Sequence, residues 1–143
     1  MLAGFPLMYG MAASTRAQDL RVYQAATDPA GPAMTWGMHA IGHLELGQEE
    51  EAEEMFHRSY APYVQVGPGV EARQEPFYMW TEVAGGQGAV NFITGMGGFL
   101  QAVLHGYLGV RARLDRMEVL PRLHSHLLNV TSFAPSSTIS SPS

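Results

Sequence analysis

Glu82 is the residue whose setting most invites chemistry. It closes the run Pro76-Phe-Tyr-Met-Trp-Thr-Glu82, so one carboxylate stands behind three aromatics and a threonine. A glycine-rich stretch follows, and then an apolar segment, Phe99 to Tyr107, whose pattern predicts a buried helix. A lone acid ahead of a loop that can approach a ligand closely is one way to present a catalytic or sugar-binding carboxylate. A helix–loop–helix with a solvent-facing glutamate fits the same residues, and spacing alone does not separate the two.

The neighbours of Glu82 carry the same ambiguity. Trp36, Trp80, Phe77 and Tyr78 are of the type that stacks on sugar faces in carbohydrate enzymes, and equally of the type that fills a helical core. Gly95-Met-Gly-Gly98 lacks the lysine of a phosphate loop. Thr94 and the free N–H groups at the start of the following helix could still hold an anion or sugar hydroxyls, while small residues there would also suit helix packing. No G-x-S-x-G elbow, Walker loop or dinucleotide fingerprint is present, so no cofactor is expected.

Metal chemistry is not expected either. His39 and His43 are four apart on one helix face, but the intervening residues are Ala-Ile-Gly and no H-E-x-x-H arrangement exists. His124 and His126 flank Ser125, where strand alternation would put both on one face. The acidic run Glu49-Glu50-Glu51 reads as a solvated face.

The elements that must position these residues begin with three helices. Ser14 suits an N-cap for a helix over Thr15 to Ala26, with Ala17, Leu20 and Tyr23 on one face. Thr27-Asp-Pro-Ala-Gly breaks it, and Pro32 can serve as the first residue of a second helix running to Leu46, with Gly47 after it as a C-cap. A third helix is predicted over Gln48 to Arg58, its acidic start matching the helix dipole and Ala52, Met55, Phe56 and Ser59 facing inward. Val66 to Arg73 reads as a surface loop, and Glu75 to Trp80 as a short approach to Glu82. The apolar helix should end near Gly109. Consecutive helices with short connections indicate an all-α layer. Beyond Arg111, Leu114, Met117, Val119 and Leu120, then Leu123, Leu127 and Val130, predict one or two strands. From Ser132 the Ser/Pro/Thr-rich composition predicts disorder. The Asn129-Val-Thr131 sequon carries no weight without secretion.

The 143 residues are enough for one ordinary domain or a piece of a larger one. A formal charge of −5 with scattered basic residues gives no stripe for nucleic acid. The absence of cysteine excludes a disulfide framework and thiolate metal sites. Met1 to Ala13 is apolar but lacks a basic n-region and is interrupted by Gly4, Pro6 and Gly10, so it reads as mature protein. No run approaches the ~20 apolar residues of a membrane helix, and a soluble, cytoplasmic chain is the expectation.

Three blocks carry a resemblance: Thr27-Asp-Pro-x-Gly-Pro-Ala-Met-Thr-Trp36, then Trp80-Thr-Glu82, then Gly88-Ala-Val-Asn-Phe-x-Thr-Gly-Met-Gly-Gly-Phe-Leu-Gln-Ala-Val103. Over Met1 to Arg111 the chain resembles glycoside hydrolase family 65, in its acid-trehalase-like branch. The resemblance implies the last helices of an (α/α)6 barrel over 1–111, the start of a β-region over 112–131, and a disordered tail over 132–143. It also implies an inverting hydrolase acting on a glucosyl-galactosyl-hydroxylysine linkage or a related α-glucoside. Glu82 would be the general base, and Trp36, Trp80, Thr94, Gly95, Gly97 and Gly98 would contact sugar.

The family's general acid would lie upstream of this chain, as would a sugar-contacting Lys-Gln pair. Val66 to Arg73 resembles an insertion. The expectation is therefore a fragment, inactive alone. Two alternatives stay open: a non-catalytic helical interaction isoform, and a phosphorylase relative. Retention of a carboxylate at Glu82 favours hydrolysis over the phosphorylase.

Overall fold

The computed structural model describes residues 2–67 and 77–122. Most of the expected 66–73 loop, the strand-forming residues after Leu120, the sequon, His124, His126 and the 132–143 tail lie outside them.

The centre of the fold follows from composition. The helix Trp36–Glu45 (α2) carries no formal charge before Glu45, and eight of its ten residues are buried. A helix apolar or small all round must be covered on every side. Ala13–Ala26 (α1), Glu49–Tyr60 (α3) and Ile93–Gln101 (α4) pack on it, together with a π-helical segment, Ala102–Tyr107, that continues α4. Small residues set the approach distances. A Cβ on Gly42 would lie 2.7 Å from a Leu20 methyl of α1, and one on Gly37 would lie 3.0 Å from the Gly98 carbonyl of α4.

The loop from α2 to α3 is tied by Gly47, at φ +72°. Its N–H bonds to the Leu44 carbonyl and that of Gln48 to the His43 carbonyl, the paired pattern that closes a helix C-terminus. Two expected starts are corrected. The residue preceding α1 is Ala12, with no side-chain cap, and Ser14 lies inside the helix. Pro32 is not the first residue of α2: its carbonyl accepts from the Met34 N–H at 2.7 Å, a tighter turn than a helix makes, and the helix begins only at Trp36.

The expectation of helices alone up to Arg111 is also corrected: the protein is helical with small antiparallel sheets. Val64–Val66 (β1), Tyr78–Val83 (β2) and Gln87–Val90 (β3) form a sheet in the order β1-β2-β3 between α3 and α4. Its physical cause is visible in β2, where Tyr78, Trp80, Thr81 and Val83 are aromatic or β-branched. Val64 pairs with Trp80 and Val66 with Tyr78. Val110–Ala112 (β4) and Met117–Val119 (β5) form a separate two-stranded ribbon, in the region where strands were expected.

An ion cluster links the ends of the described chain. The Glu45 carboxylate accepts from Arg16 of α1 and, at 2.7 Å, from Arg111 of β4. Arg111 is buried and also donates to the His105 carbonyl. No helix among the described residues is long and apolar enough to cross a membrane.

Candidate active site

Glu82 lies on the middle strand of the sheet, half-buried. Three backbone anchors hold its stretch of β2. The Thr81 N–H donates to the Tyr63 carbonyl at 2.9 Å, the Phe92 N–H donates to the Trp80 carbonyl at 2.8 Å, and the Ala33 N–H donates to the Glu82 carbonyl. Thr81 is fully buried, and its hydroxyl shares its proton between the carbonyls of Tyr63 and Val83, at 3.0 and 2.9 Å. Tyr63, itself 1% exposed, donates its hydroxyl to the Gly31 carbonyl at 2.9 Å. The sheet, the turn 27–35 and Tyr63, just after α3, thus meet at β2.

The carboxylate has a direct partner. Thr81 pairs with Val90 and Val83 with Gln87, so Glu82 faces two residues of β3, Gly88 and Ala89. The Ala89 N–H donates to Glu82 Oε2 at 3.1 Å. Among the described residues nothing bonds to Oε1, which is left to accept from a ligand or water.

Trp80, two residues before Glu82, packs beside α4. A Cβ on Gly95 would lie 2.6 Å from Trp80 Nε1 and 2.7 Å from the Ala33 carbonyl, so glycine is what lets indole, turn and helix meet. Trp80 Nε1 is buried without a partner among the described residues. Phe99 meets the Trp80 ring edge-on at 5.6 Å and stacks on Phe56 at 5.0 Å. Thr94 is exposed on the first turn of α4, and a Cβ on Gly97 or Gly98 would meet nothing within 4 Å. The N–H groups of Gly95 and Met96 are already engaged by the Phe92 carbonyl.

Trp36 is placed differently. It is 3% exposed in a cluster with Ala33, Ala40, Met55 and Tyr63, against which Trp80 packs. The Arg58 guanidinium covers its ring at 3.9 Å. Trp36 also lines a groove of about 850 Å³, with Arg21, Gln24, His43, Gln48 and Arg58. A smaller groove of about 530 Å³ lies by Leu44 and Pro121, and Glu82 and Thr94 line neither.

The histidines of α2 serve packing in this structure. Thr27 Oγ1 donates to the Tyr23 carbonyl, so at 3.1 Å it accepts from His39 Nε2–H, leaving His39 Nδ1 as a buried acceptor without a partner among the described residues. Burial, followed by His43 nearby, lowers the His39 pKa from 6.5 to about 4. His43 bridges the side chains of Gln24 and Gln48.

Sequence reasoning missed Thr81 as an anchor of β2, and Gly88 and Ala89 as the residues that Glu82 faces. Gly85-Gly86 is enough for a turn, so a third glycine one residue later was the available sign of an irregular strand.

No family model matches the chain. Among curated proteins, it is 47% identical over 123 residues to protein-glucosylgalactosylhydroxylysine glucosidase of Danio rerio, covering 86% of this chain and 17% of that protein. It is 45% identical over 123 residues to the protein of the same name in Dictyostelium discoideum, covering 86% and 16%. It is 32% identical over 125 residues to acid trehalase of Emericella nidulans, covering 80% and 11%. The chain thus spans less than a fifth of the length of these relatives. Over that span its similarity to these glucosidases and to acid trehalase fits the glycoside hydrolase family 65 type that its motifs resemble.

Proposed function

We propose that this segment is part of an inverting α-glucosidase that hydrolyses a glucosyl-galactosyl-hydroxylysine linkage or a related α-glucoside. Its helices would be the last of an (α/α)6 barrel, with Glu82 as the general base. The observation that supports the base assignment is the carboxylate itself: Oε2 is fixed by the Ala89 N–H, while Oε1 has no partner among the described residues. A base in an inverting glycosidase must take a proton from a water on the sugar face opposite the leaving group. The two carboxyl groups stand about 6.5–9.5 Å apart to admit that water. A half-buried carboxylate held at one oxygen supplies the fixed acceptor this step needs.

Thr94, Gly95, Gly97 and Gly98 would border the sugar, since α4 leaves open space at Gly97 and Gly98. Trp80 would form the adjoining wall, with its indole N–H available for a polar partner. Trp36 would reach sugar only if Arg58 left its ring, so its contribution is to hold the turn that carries Ala33. The general acid implied by the resemblance lies upstream of these residues, and the segment alone would not turn over substrate.

In the full-length enzyme carrying this segment, Glu82→Gln should lower kcat by about 10²–10⁴-fold with little change in KM. Unchanged kcat in steady-state assays with an α-glucoside would remove Glu82 from the role. A requirement for inorganic phosphate would assign phosphorolysis instead.

A further inference from the structure

We propose that the Gly88–Ala89 bulge of β3 is the device that aims Glu82, which makes Gly88 a positioning residue for the hydrolysis. The inference rests on the assignment of Glu82 as the base.

In a regular antiparallel ladder, each residue of β2 would face one residue of β3. Here Glu82 faces two, and the first of them, Gly88, has φ +75°. A glycine in the left-handed region followed by an extra strand residue is one of the recurrent bulge types, and such bulges re-aim side chains. The consequence at this bulge is chemical. The Ala89 N–H is directed at Glu82 Oε2, a side-chain oxygen. A hydrogen bond from a backbone amide to a carboxylate is charge-assisted and has a fixed origin, so it restricts the rotation that would otherwise let the two oxygens exchange.

Gly88 is required twice over. Its φ is one that side-chain-bearing residues adopt only with strain. A Cβ there would also lie 2.9 Å from Glu82 Cβ and 3.0 Å from Oε2, so it would push the carboxylate off the amide. Asparagine tolerates positive φ better than alanine but brings the same Cβ, so the two effects separate.

The test is a double-mutant cycle in the full-length enzyme. Gly88→Ala and Gly88→Asn should each lower kcat at least tenfold with KM within about threefold, a split that general unfolding does not produce. In a Glu82→Gln background the same changes should have little further effect, because the residue they position has lost its function. Loss of kcat in Glu82→Gln with normal kcat in both Gly88 variants overturns the positioning role and leaves the base assignment intact. Normal kcat in Glu82→Gln overturns the base assignment first. If the Gly88 variants do not fold, hydrogen exchange decides. Glu82→Ala should speed exchange of the Ala89 amide at least tenfold while the Thr81 amide, bonded to Tyr63, is unchanged. Equal Ala89 exchange with and without the carboxylate overturns the proposal.

Discussion

At the scale of a single side chain, Glu82 has one oxygen held by the Ala89 N–H and the other without a partner among the described residues, on a strand pinned by backbone bonds on both sides. Glu82 stands out in the sequence because an acid behind aromatics and before glycines is a local pattern. Its partners were not legible there, because Ala33 and Ala89 reach it, and Tyr63 reaches Thr81 beside it, only through the fold. His39 shows the same limit. Its spacing from His43 gives no H-E-x-x-H site, and nothing local in the sequence names Thr27, to which its Nε2–H donates. His39 also gives a pH dependence whose sign can be worked out. Its pKa falls from 6.5 to about 4 on folding, chiefly through burial, so unfolding takes up a proton between those values. Stability is complete above pH 6.5 and is lost as the pH falls toward 4, by on the order of 3 kcal/mol for this group. Urea titrations at pH 7.5 and pH 5 should show the loss, and His39→Gln should flatten it.

Among the elements, α1 and α3 fall within a residue or two of their sequence-based bounds, since their periodicity and breakers are local. The three-stranded sheet was missed for the opposite reason. β2 has the side chains of a strand, but its pairing with β1 depends on residues on the far side of a segment of chain, and the glycines of the hairpin read as a loop. Strand propensity is mostly a statement about what the neighbours will be. Thr81 is where this can be tested. Thr81→Val keeps size and β-branching but removes the proton shared between two buried carbonyls, and should cost about 1–3 kcal/mol. Thermal or denaturant unfolding measures it. A cost near zero would show that the N–H of Thr81 alone suffices to hold β2 on Tyr63.

For the molecule as a whole, apolar side chains outline what a longer protein would cover. Ile93, Leu100 and Leu104 are 79%, 64% and 44% exposed on α4 and its π continuation, so the stretch expected as a buried helix is buried on one side only, where Phe99 packs on Phe56 and Trp80. An apolar stripe of this kind promotes association. The 143-residue chain in isolation should bind a hydrophobic dye and elute larger than a monomer at high concentration. Leu100→Lys with Leu104→Lys should reduce both effects. A monomer with no dye binding would show that the stripe is tolerated in water.

The Glu45 cluster gives the segment a closure that its linear order does not. The carboxylate is gripped from α1 by Arg16 and from β4 by Arg111, residues near opposite ends of the described chain. In terms of connectivity, the described residues form a loop fastened at one buckle rather than a string with two loose ends. Damage that reaches Glu45 opens both ends together, so a lesion near residue 16 and one near residue 111 converge on the same fault.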